Sequence, residues 1–119
     1  MTLADLHGIG TLVTLLAIVA FGLAMAGIAL LDRFSGWLPR LRTGLLVVIG
    51  LQVLLGAATW LSGDRPAQDL HLLYGAGLLV LLPLAGSFAE DAPPRDRAAV
   101  FAIAAVVGVL LIWRLLSTG

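Results

Sequence analysis

Four runs of apolar residues, roughly 7–31, 43–61, 70–88 and 98–116, alternate with short polar breaks along the chain. Each run approaches the ~20 residues that carry a helix across the hydrocarbon of a bilayer. The breaks read LDRFSGWLPRLR, SGDRPAQD and EDAPPRDR, and Pro39, Pro66, Pro93 and Pro94 fall within them, where they cost no helical hydrogen bond. Pro83 lies inside the third run and predicts a kink or an early end to that helix. In lipid, backbone N–H and C=O groups must be satisfied within their own segment, so the runs predict helices. Short breaks make successive helices antiparallel neighbours. The pattern therefore predicts an all-α membrane protein, a single domain over residues 1–119 with four transmembrane helices in an up-down-up-down bundle.

Composition strengthens that reading. The chain is 61% hydrophobic and 12% charged, with a mean hydropathy of +1.08. A soluble domain of 119 residues has too little interior to hide so much apolar surface. The expected location is an integral position in a plasma or inner membrane, with the lipid bilayer as the first partner. Absence of cysteine excludes disulfides and thiolate metal sites. A net charge of zero gives no argument for nucleic acid. The residues before the first run are acidic, and the run is too long for the core of a signal peptide, so the first span is expected to be retained.

Charge sets an expected orientation. The breaks after the first and third runs hold Arg33, Arg40, Arg42, Arg95 and Arg97, whereas the opposite side holds Arg65 and Arg114. Arginine-rich loops stay in the cytoplasm, which predicts both termini outside. Trp60 and Trp113 close the second and fourth runs and Trp37 sits in the first break, as interfacial aromatic belts require.

The candidate chemistry begins with a repeated tripeptide. DLH occurs at 5–7 and at 69–71 and contains both histidines of the chain. Each copy opens an odd-numbered span, so His7 and His71 share a depth at the outer end. First and third helices are diagonal in an up-down bundle, and side chains from a diagonal pair meet in its core. Two imidazoles there make a pair of axial ligands for a haem iron, or part of a site for another metal. Zinc or copper asks for a third or fourth strong protein ligand, whereas a porphyrin brings four of its own. The inventory thus favours haem, of b type, over a bare metal. The plainer role for an interfacial histidine is a hydrogen bond to headgroups, water or a loop carbonyl.

Other residues gather at the same level. Gly8 and Gly10 follow His7, Gly75 and Gly77 follow His71, and Gly56, Ala57 and Ala58 of the second span reach a similar depth. Such residues let helices approach or leave a slot for a macrocycle, and ordinary packing is the simpler explanation. Gln52, strongly polar near a span centre, should face the bundle and make an interhelical hydrogen bond, with contact to a haem or quinone edge as the bolder option. Tyr74 lies three residues after His71 and either lines the pocket or anchors at the interface. Arg65 and Arg114 suit haem propionates, or alternatively snorkel to the headgroups. Asp5 and Asp69 precede their histidines by two residues, which puts them on another face and favours helix capping, with contact to an imidazole N–H as a second option.

The stretches LQVLLGAATWLSG (51–63) and DLHLLYGAGLLVLLPL (69–84) resemble the haem A synthase family. The shared pattern is a helix running from Gln through Gly-Ala-x-Thr to Ser-Gly, then a helix that opens on a ligand histidine. DLHGIGTLVTLLAIVAFGLA (5–24) resembles that family's other ligand-bearing helix. Over roughly residues 5–85 the resemblance implies a half-domain in which His7 and His71 ligate one haem. Family members normally join two such halves in eight helices, and this chain matches one. The carboxylate that the synthase reaction is thought to need, three residues before a ligand histidine, is replaced by Ala4 and Gln68, and the outer-loop cysteine pair is missing.

Three functions follow, in order. The first is a membrane haem protein with bis-histidine ligation, serving electron transfer or forming a haem-containing subunit. The second is a cofactor-free accessory subunit of a respiratory or photosynthetic membrane complex. The third is a synthase-type enzyme that rebuilds eight helices as a homodimer. Loss of the carboxylate weighs against enzymatic oxygenation.

Overall fold

The structure, a computed structural model, describes residues 1–63 and 70–118, apart from the side chains of Leu70 and Thr118. Four long helices dominate it: α1 (Leu3–Leu31), α2 (Leu38–Leu61), α3 (Leu70–Phe88) and α4 (Pro94–Thr118), with a single 3₁₀ turn at Ser35–Trp37 before α2. All four helices are long and apolar enough to cross a membrane. The all-α four-helix bundle expected from the pattern is the fold observed.

Three helices begin earlier than their apolar runs. α1 starts at Leu3, where Thr2 caps it: the Thr2 hydroxyl accepts from the Asp5 N–H and the Asp5 carboxylate accepts from the Thr2 N–H, at 3.1 and 3.0 Å. Asp5 thus completes a capping box from inside the first turn, instead of preceding the helix. α2 takes up Pro39 and α4 opens on Pro94, first-turn positions where the missing N–H is not needed. Hydropathy marks only what lies in hydrocarbon. The bundle is 47 Å long, against ~30 Å for that layer, so the helix ends reach into the headgroups. The expected early end at Pro83 does not occur, since α3 continues to Phe88.

α1 packs chiefly against α4 and then α2, and α3 packs against α4 but only sparsely against α2. α1 and α3 are therefore diagonal, as expected. The tightest seam joins α1 to α4, where a Cβ on Gly22 would lie 2.8 Å from the Ala105 Cβ. At the end where α1 finishes, Met25, Phe21, Ile28, Ala98 and Phe101 form a fully buried core, and the Phe21 and Phe101 rings meet edge to face at 6.0 Å. Arg95 Nε donates to the Ala29 carbonyl there at 2.7 Å, satisfying a last-turn carbonyl of α1. This is the arginine end of the bundle, and the opposite one is the histidine end.

Candidate functional site at the histidine end

Because α2 and α3 barely touch, the histidine end encloses a cavity of about 630 Å³. That lies within the ~300–1,000 Å³ typical of small-molecule sites. Its wall is mostly apolar, with His7, Thr11, Thr14, Gln52, Thr59 and His71 as the polar members. Ala57 and Trp60 of α2 and Leu72, Ala76 and Leu79 of α3 line it while remaining exposed, so its mouth opens sideways, between α2 and α3.

His7 and His71 reach this cavity from opposite corners, and their ring centroids are 6.3 Å apart with planes at 73°. A metal bonded to the Nε2 of each ring at ~2 Å would hold the centroids roughly 6 Å apart. The centroid separation is therefore compatible with both imidazoles holding one metal ion. Small residues make room around the pair. The His7 ring lies over Gly56, where a Cβ would come within 2.9 Å of Cε1, and Gly8, Ala57, Gly75 and Ala76 complete the cradle. Among the described residues no three His, Cys, Asp or Glu side chains cluster, so a bare metal would have the imidazole pair as its strong ligands. The donor set and the volume both fit a porphyrin.

Gln52 makes the interhelical contact expected of it, and to the histidine itself. Its Nε2 lies 3.0 Å from His7 Nδ1, 2.8 Å from the His7 carbonyl oxygen and 2.8 Å from Thr11 Oγ1. The amide is buried, and Oε1 abuts Gly10 with no hydrogen-bond partner. His71 Nδ1 lies 3.1 Å from the Leu115 carbonyl oxygen on α4.

Several candidate residues stand elsewhere. Gly10 is covered by the Gln52 amide rather than exposed to the cavity. Tyr74 is off the wall too, because its hydroxyl takes a 3.3 Å hydrogen bond from Arg114, whose guanidinium stacks 5.6 Å from the Tyr74 ring centroid. Arg114 is exposed at the same end of the bundle. Arg65, Pro66, Gln68 and Asp69 lie outside the described residues. The threonines Thr11, Thr14 and Thr59 were not singled out from sequence. Each donates its hydroxyl hydrogen to the carbonyl four residues back, at 2.8–2.9 Å, and so survives in an apolar span. Thr11 and Thr14 follow His7 by four and seven residues, a spacing that puts them on its face and offered a signal.

Compared with known proteins, the chain matches no family model, no curated protein and no solved structure.

Proposed function

We propose that this chain is an integral membrane haem-binding protein in which His7 and His71 are the axial ligands of one b-type haem, with a role in electron transfer or as a haem-bearing subunit. The observation that carries the reading is the 6.3 Å separation of the two imidazoles within one cavity. The resemblance of residues 5–85 to one half of a haem A synthase supports the same ligand pair. When bound, the haem supplies one-electron redox chemistry, and this chain's residues hold it, orient it and shield it from water. Gly56 leaves space beside His7, and Arg114 offers a cation for propionates at the outer face. Oxygenation of a haem substituent is not part of this reading. The position three before His7 is Ala4, which lines the cavity with a methyl group.

The test is a reduced-minus-oxidised spectrum of the purified chain. Sharp α and β bands of low-spin haem are expected, and a featureless difference spectrum would refute the reading. The proposed orientation places both termini outside. An external thiol reagent should label Ser62→Cys and miss Ser35→Cys, and the opposite pattern would invert the site.

A further inference from the structure

The two histidines share a cavity but not a hydrogen-bonding environment. A carbonyl oxygen only accepts, so the contact with Leu115 puts the His71 hydrogen on Nδ1 and the ring's lone pair on Nε2. That is the tautomer a metal-ligating histidine uses. His7 is set the other way. The Gln52 atom facing it is the amide nitrogen, which contacts the His7 carbonyl oxygen as well as His7 Nδ1. Thr11 Oγ1 already donates its hydrogen to that carbonyl and is left to accept from Gln52. Reversing the amide would press Oε1 against the carbonyl oxygen, two acceptors with no hydrogen between them. The two amide hydrogens are shared among three acceptors, the His7 carbonyl, Thr11 Oγ1 and His7 Nδ1. Because the amide nitrogen cannot accept, a hydrogen on Nδ1 would have no acceptor there, so it rests on Nε2, the atom that has to ligate. The orientation has a cost, since Gln52 Oε1 is left buried and unbonded against Gly10.

We infer that the two ligands are unequal: His71 is the anchored ligand, His7 the exchangeable one, and Gln52 is a positioning residue that holds the His7 hydrogen on Nε2. This rests on the haem reading above. For His7 to ligate, Nε2 gives up a proton and Nδ1 gains one, with no net change, and the amide must retract or turn. A haem anchored by His71 thus has one face that can open to a small ligand, next to the mouth between α2 and α3.

The experiment uses the whole chain in lipid nanodiscs. Nitrogen-15 NMR of the apoprotein should show His7 protonated at Nε2 and His71 at Nδ1, and the same tautomer for both would overturn the inference. In haem b titrations, His7→Ala should keep haem in five-coordinate form within about tenfold of the wild-type affinity, whereas His71→Ala should lose about a hundredfold. Equal losses, or the reverse order, would overturn it. Imidazole added to His71→Ala should restore haem uptake, which separates ligand loss from misfolding. Gln52→Leu removes the NH₂ group that keeps the His7 hydrogen on Nε2, frees Nδ1 to carry it and should favour His7 on the iron. Carbon monoxide binding to the reduced protein should then slow by about tenfold or more and the midpoint potential should fall. A merely structural Gln52 would leave the rate and the potential unchanged, and that result would count against the inference. A wild type that takes up no low-spin haem refutes the haem reading and the ligand roles with it, whereas a low-spin wild type with equal single variants refutes only the inequality.

Discussion

At the arginine end, the four helices close on a core of buried apolar side chains, with the Arg42 guanidinium over Phe101 and the Arg97 Nε buried as well. Met25 and Ala98 are 0% exposed and Phe101 is 1% exposed. At the histidine end, the buried side chains include Thr14, Gln52 and Thr59, which among the described residues are the buried polar ones. There the helices stand apart around a cavity instead of filling it. Lipid is as apolar as leucine, so a membrane bundle coheres through packing and interhelical hydrogen bonds rather than through a hydrophobic drive. The contrast teaches where each function resides. One end supplies the packing that keeps four helices together, and this lets the other forgo packing and keep a polar, roomy site.

The largest expected effect lies at the packed end. Phe101→Ala removes the ring that meets Phe21 edge to face and carries the Arg42 guanidinium 5.6 Å from its centroid. It should cost on the order of 3 kcal/mol, the low end for a buried aromatic because in lipid the lost packing dominates. Detergent-titrated unfolding measures this, and haem uptake by the folded fraction should be unchanged. A variant that unfolds normally but loses haem would break the division of labour.

A smaller effect is expected inside the site. Gly56→Ala puts a methyl group 2.9 Å from His7 Cε1, and the ring, held by Gln52, has little room to yield. Low-spin haem affinity should fall about tenfold, roughly 1.4 kcal/mol, with little change in stability. Gly50→Ala is the control on the same helix, outside the cavity wall. Its methyl group would meet nothing within 4 Å, so affinity should hold in a parallel haem titration. Equal losses from the two variants would mean that added bulk on α2 matters more than the position of His7.

The smallest effect belongs to the exposed start of α1. Thr2→Ala breaks the capping box that begins the helix carrying His7. It should lower stability by about 1 kcal/mol in the same unfolding assay and leave the low-spin spectrum in place, because His7 lies a full turn inside the helix. Loss of the spectrum would show that the cap positions the ligand as well as the helix.

Much of the bundle was legible in the chain, for a physical reason. Apolar length and polar breaks answer directly to the bilayer, and the repeated DLH marks one depth on two parallel helices, so the diagonal meeting of His7 and His71 follows. Gln52 was legible as a bundle-facing side chain because a buried amide needs a partner. Its partner was not, since the approach of α2 to α1 at Gly56 and Gly10 is a matter of packing. Helix starts were misjudged because hydropathy is silent about capping boxes and first-turn prolines in the headgroup layer. Tyr74 was drawn toward the cavity by its spacing from His71, and the Arg114 side chain of α4 claims it instead, a tertiary contact that spacing along one helix does not reveal.

The central claim is that one iron joins His7 to His71. Near-infrared magnetic circular dichroism of the oxidised, haem-loaded chain reads axial ligands directly. The account predicts the charge-transfer band of bis-histidine ligation in the wild type, lost in both His7→Ala and His71→Ala. A band of another ligand class, or a bis-histidine band that survives either substitution, would contradict it.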